Sequence, residues 1–146
     1  MTTVSDIMTS DVRSLSPSDS VVRAARTMAD LNVGVIPVCE VGRLVGVLTD
    51  RDIAVRCVAQ GLAAEHTPLS AIMTGQVQCC FGEEELGEVM GRMGDAQIRR
   101  LPVVDRGNRL VGILSLGDIA VKTEDKKLAS VLQDISEPAA VSFFKS

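Results

Sequence analysis

The sequence predicts an α+β fold built twice: two β-α-β-β-α repeats packed sheet to sheet with pseudo-twofold symmetry, followed by a C-terminal helix. Three observations predict it. The phrase LTDRDIAV at residues 48–55 returns as LSLGDIAV at 114–121, each time after the run RLVG. Other landmarks hold the same spacing: Ile7-Met8-Thr9 returns as Ile72-Met73-Thr74 and Pro37 as Pro102, 65 residues on, whereas Gly46 to Gly112 and Asp52 to Asp118 are 66 apart. Within each copy the apolar pattern alternates between helical spacing and short strand-like runs. The one-residue difference falls in Asp105-Arg106-Gly107-Asn108, a turn composition that tolerates insertion. A register that covers nearly the whole chain makes duplication its organising fact.

Taken in order, each copy opens with an extended piece, residues 11–16 and then 76–81. The first helix is expected to start at Ser16-Pro17-Ser18, a capping hydroxyl with an early proline, and to bury Val22, Ala25, Met28 and Ala29. Its counterpart carries Glu83-Glu84-Glu85 in the first turn, where the helix dipole favours acids, and Leu86, Val89, Met90 and Met93 as its apolar stripe. Two short apolar strands follow, residues 35–39 with 43–48 and 101–104 with 109–114, joined as hairpins through Glu40-Val41-Gly42 and through residues 105–108. A second helix begins at Thr49 or Ser115, and Thr67-Pro68 caps a short turn into the second copy. Residues 126–135 read as one more amphipathic helix, with Phe143 and Phe144 beyond it. The expected division is residues 1–64, 65–123 and a tail of 124–146. A unit of roughly sixty residues with one small sheet cannot readily bury both faces alone, so the two copies are expected to pack as one domain.

Bulk composition narrows the function. With 46% apolar and 23% charged residues the chain reads as globular rather than disordered. A net charge of −4 and 2% aromatics leave neither a basic footprint for nucleic acid or anionic membrane nor rings for stacking bases. No apolar run approaches the ~20 residues of a membrane span, and the N-terminus lacks a secretory pattern, so a cytoplasmic protein is expected. The four cysteines (Cys39, Cys57, Cys79, Cys80) show no metal-ligand spacing and read as reduced, partly buried thiols. His66, the one histidine, falls in a loop. No phosphate-binding GxxxxGK[ST] loop, G-x-S-x-G elbow or HExxH helix occurs, and a non-enzyme with no catalytic or metal site is expected.

The repeated phrase carries the chemistry. Thr49 and Ser115 stand where a strand hands over to a helix, with Asp52 and Asp118 three residues on. As structure this is a capping box, hydroxyl and acid satisfying each other's amides. As function, the hydroxyl and helix-start amides suit a phosphate, and the acid suits the two hydroxyls of a ribose. Both readings stand at this point.

The IMT opening, the I/L-P-V strand, the RLVG(V/I)L strand and the (T/S)xxD helix start, arranged twice over residues 4–122, resemble a tandem pair of CBS (cystathionine β-synthase) domains, a Bateman module. The resemblance implies two clefts for adenosyl compounds such as AMP, ADP, ATP, NAD or S-adenosylmethionine. It implies a ligand sensor that signals by conformational change. The alternative is a structural or protein-interaction module that keeps the fold without binding a ligand. Carried over by residue, the first cleft takes Thr49, Arg51 and Asp52, with Val77, Ile98, Arg99, Arg100 and Pro102 (the stretch includes Leu101) from the other copy. The second takes Ser115, Gly117 and Asp118 with Val12, Val33, Gly34, Val35 and Pro37. On this grouping the arginines make the Thr49 cleft the one that prefers the more phosphorylated ligand. Arg56 and Lys122, four residues after each acid, share that helix face, where their stems would cover apolar surface. The resemblance also implies a homodimer and an unidentified protein target.

Overall fold

The computed structural model describes residues 1–122, so the expected C-terminal helix and the two tail phenylalanines lie outside the described residues. The chain forms α1 (Val4–Ile7), α2 (Val21–Leu31), β1 (Val35–Glu40), β2 (Arg43–Thr49) and α3 (Asp50–Asp52), which runs on as a π-helix over Ile53–Val58. A 3-10 turn (Leu69–Ala71) leads to β3 (Cys80–Phe81), α4 (Leu86–Ala96), β4 (Arg100–Val104), β5 (Leu110–Ser115) and α5 (Leu116–Lys122). This is the expected mixed α+β pattern, stated twice.

Two compact units result, and they are not the two sequence copies. Among the described residues, unit 1 holds Met1–Val12, Cys79–Arg106 and residues 111–122; unit 2 holds Arg13–Gln78 and Gly107–Leu110. The opening segments are exchanged. Val4 and Ile7, from the start of copy one, are buried among Cys80, Leu86, Val89, Met90, Met93, Val103 and Leu114 of copy two. Leu69 and Ile72 are buried in turn among Leu15, Val21, Ile36, Val38 and Leu48.

In unit 2, β1 and β2 form an antiparallel hairpin running from Val35↔Thr49 to Glu40↔Arg43, with an irregularity between Val38 and Cys39. Its tight turn puts both Val41 (φ 53°) and Gly42 (φ 78°) in the left-handed region, as a two-residue hairpin loop requires. Leu15 adds a parallel bridge to Val38. In unit 1 the order is β3-β4-β5, with β3 parallel to β4 through Cys80↔Val103 and Phe81↔Val104.

The helices correct three sequence expectations. The segment Ser16–Asp19 is a turn, closed when Asp19 accepts from the Ser16 amide at 2.7 Å; α2 begins after Ser20, whose hydroxyl accepts from the Arg23 amide. The buried face is consequently Val21, Ala24, Thr27 and Met28, and Ala29 is exposed. In copy two Glu85 is the cap and Glu83 and Glu84 precede the helix. Glu84 plays the part of Asp19: it accepts from the Phe81 amide and pairs with Arg92 at 3.0 Å. Thr67 does not cap the turn that follows it, since its hydroxyl donates back to Ala63. The stripe Leu86, Val89, Met90 and Met93 is buried as expected. Both long helices stop on a left-handed residue, Asn32 and Gln97, whose amides bond back into the last turn.

Candidate functional site

Each (T/S)xxD phrase straddles a strand end and a helix start, so its hydroxyl faces amides that no helical carbonyl can satisfy. At Thr49 the box is complete. Thr49 Oγ1 accepts from the Asp52 amide at 3.0 Å, and Asp52 Oδ2 accepts from the Thr49 amide at 3.0 Å. Arg56 Nε lies 3.7 Å from Asp52 Oδ1. At Ser115 only half of it forms: Ser115 Oγ accepts from the Asp118 amide at 3.1 Å. The Asp118 carboxylate instead accepts the hydroxyl of Thr9 at 2.8 Å. The sequence marks Thr9 as part of the repeated IMT landmark and gives it no place in either cleft.

Arg56 and Lys122 are tethers. Arg56 donates to the carbonyl of Ile72 at 3.3 Å and Lys122 to that of Ile7 at 3.0 Å. Each thus places a cation on a carbonyl at or beside the end of a helical turn, where the backbone dipole favours it, and holds an opening segment in its unit.

Hairpin register decides which residues share a site. An antiparallel hairpin brings the start of its first strand beside the end of its second, and here Val35 pairs with Thr49. The Asp50 amide donates to the Gly34 carbonyl at 2.9 Å, and the Leu116 amide to the Arg99 carbonyl at 3.1 Å. The sequence reading drew the facing wall from the other copy. The structure brings together, within unit 2, Thr49, Arg51 and Asp52 with Val33, Gly34, Val35 and Pro37, and includes Val77 in that unit. Unit 1 holds Ser115, Gly117 and Asp118 with Ile98, Arg99, Arg100 and Pro102, and includes Val12.

In unit 1 this grouping encloses space. Arg99, Arg100, Ser115, Leu116 and Gly117 line a cavity of about 330 Å³, within the range of small-molecule sites (roughly 300–1,000 Å³). Both arginines are exposed, and among the described residues neither makes an ion pair. The cavity therefore offers two guanidinium forks and a hydroxyl, and Asp118 follows its last lining residue in sequence.

A CBS domain family match covers residues 4–58 and again 69–124. The chain belongs to the CBS domain family. It is 44% identical over 137 residues to the CBS domain-containing protein YhcV of Bacillus subtilis, covering 93% of this chain and 96% of that protein. Among solved structures, the CBS pair is similar to Hypoxic Response Protein I with two coordinated zinc ions: TM-score 0.75, 32% identity, 84% of this chain and 99% of that one. It is also similar to the CBS domain pair of protein MJ0100 in complex with 5-methylthioadenosine and S-adenosyl-L-methionine: TM-score 0.71, 30% identity, 83% and 94% covered.

Among the described residues of the CBS pair, no three His, Cys, Asp or Glu side chains gather as a metal site. No described helix is long and apolar enough to cross a membrane. Cys39, Cys57 and Cys80 are buried free thiols and Cys79 is half-buried. Burial, with Glu84 adding to it, pushes the Cys80 thiol up to about 12.

Proposed function

We propose that this CBS pair is a stand-alone regulatory module that binds an adenosyl compound and signals occupancy by a change of conformation, without a catalytic step. The observation that carries the reading is the unit 1 cavity. Asp118 is the acceptor for ribose hydroxyls, Ser115 a donor to phosphate or ribose oxygen, and Arg99 and Arg100 the partners of phosphate. The MJ0100 complex supports the ligand class, and the likeness to YhcV, itself named a CBS domain-containing protein, supports a regulatory CBS module. The same reading makes the module a cytoplasmic homodimer acting on a protein target.

The test is thermal denaturation of the full chain against AMP, ADP, ATP, NAD and S-adenosylmethionine, with Asp118→Ala beside it. Ligand at about 100 times its dissociation constant adds about 2.7 kcal/mol, a rise of several degrees. A rise with one compound that is lost in Asp118→Ala is expected. No rise with any compound, from protein shown by mass spectrometry to retain no nucleotide, overturns the proposal. One observation favours a purely structural module instead: the Thr49–Asp52 box satisfies both partners internally. That reading requires no ligand effect at either acid.

A further inference from the structure

We infer that Asp50 is a specificity-determining residue that bars phosphorylated ligands from the unit 2 counterpart of the unit 1 cavity, so that the chain binds one such ligand rather than two. The inference rests on the adenosyl-binding function proposed above. The two places are built on the same frame, since both hairpins bring their pre-strand residue to the same backbone bond, Asp50 to Gly34 and Leu116 to Arg99. Their side chains differ in sign. Arg99, Arg100, Ser115, Leu116 and Gly117 line the cavity; the residues at the same repeat positions are Gly34, Val35, Thr49, Asp50 and Arg51. Two positive charges in unit 1 are thus matched in unit 2 by one negative and one positive.

Asp50 also fills the space. A β carbon on Gly34 would lie 3.0 Å from Asp50 Oδ2 and 3.4 Å from its Cγ, so the carboxylate covers the point from which Arg99 branches in unit 1. It is held there, because Asp50 Oδ1 accepts from the Arg51 amide at 2.8 Å. Arg51 is exposed and adjacent, so its charge offsets that of Asp50 and adds no net attraction. The other charged groups near this turn, Asp52 and Arg56, lie against each other. A phosphate entering would meet a fixed carboxylate at its near wall where unit 1 offers two guanidinium forks, a difference that at partly screened separations of a few ångströms favours unit 1 by at least about tenfold.

Isothermal titration of AMP and of adenosine into the full chain decides the matter, with thermal melts showing that each variant folds. The unaltered chain is expected to bind one AMP. Arg99→Gln with Arg100→Gln is expected to weaken AMP at least about tenfold and leave adenosine within about threefold. Asp50→Ala, which removes both the charge and the carboxylate that covers Gly34, is expected to reveal a second AMP equivalent. Gly34→Arg with Asp50→Leu, which installs the unit 1 pair, is expected to strengthen it further. Two AMP equivalents in the unaltered chain overturn the inference, as does a folded Asp50→Ala with only one. Those results leave the proposed function standing; absence of binding by any adenosyl compound overturns both.

Discussion

Substituting Gly46 by alanine tests why both copies carry glycine in the RLVG run. Gly46 lies on β2 beside the opening segment of copy two, where the Val47 amide donates to Thr74 O and the Thr74 amide to Val47 O, both at 3.0 Å. A β carbon on Gly46 would stand 2.7 Å from Thr74 O and 3.0 Å from Met73 Sδ. The methionine can swing aside; the carbonyl belongs to the backbone that makes the two bonds. Reaching ordinary contact distance moves the strap by roughly 0.7 Å, which takes both hydrogen bonds to the edge of useful geometry. Two such bonds contribute about 0.5–1.5 kcal/mol each, and overpacking costs about 1–3 kcal/mol. Since relaxation trades one loss against the other, Gly46→Ala is expected to cost about 2–4 kcal/mol. Urea unfolding followed by circular dichroism measures it. Gly75→Ala is the control, for its β carbon meets only Val45 O at 4.0 Å. A Gly46→Ala chain within about 0.5 kcal/mol of the parent, or a control equally destabilised, refutes the close-approach argument.

The remaining expectations are local. Val41 is a β-branched residue at φ 53° with its side chain 92% exposed, so Val41→Asn relieves strain and loses no packing. It should raise stability by about 1 kcal/mol in the same urea assay, and a loss would mean the valine makes a contact worth keeping. Thr49→Ala opens a closed box and should cost about 1–2 kcal/mol, whereas Ser115→Ala, which gives up one bond, should cost about 1 kcal/mol or less. The order would be reversed only if the Thr9–Asp118 bond depended on Ser115. For Cys80 the sign runs against high pH. The unfolded thiol ionises near 9 and the folded one near 12, so below 9 nothing is lost and between 9 and 12 unfolding releases a proton. Stability should fall there by up to about 1.4 kcal/mol per pH unit, and Cys80→Ser should flatten that slope in pH-dependent melts. At pH 8, iodoacetamide should label half-buried Cys79 before Cys80.

Much of the fold was legible because duplication checks itself: an apolar stripe or hairpin read once could be tested against its copy. The element order and the α4 stripe followed from period and repeat. Helix starts were less legible, since Ser16-Pro17 and Ser20 both look like caps. What separates them is that Asp19 folds back on Ser16 and ends the turn before the helix begins. The residues proposed for the site stand out in the sequence; which of them the chain brings together does not. Hairpin geometry alone places the residues before a first strand beside the end of the second, so Arg99 and Arg100 belong beside Ser115. The Thr9–Asp118 bond spans 109 residues of sequence, and local spacing carries no sign of it.

The exchanged opening segments explain why two phrases, IMT and RLVG, recur together. They are the two faces of one joint. Met8 and Thr9 lie against Gly112, and Met73 and Thr74 against Gly46, at distances only glycine allows. Lys122 holds Ile7 and Arg56 holds Ile72 from the helix that follows. Each joint therefore fastens an opening segment to the strand and helix between which a (T/S)xxD phrase lies. In unit 2 the acid of that phrase turns inward to its own threonine and the joint is closed on itself. In unit 1 the acid is the fastening, bonded to Thr9. On the proposed function, a ribose that took Asp118 as acceptor would have to share it with Thr9 or displace it, so that occupancy of the unit 1 cavity would act on Thr9 through a hydrogen bond with no counterpart at Asp52.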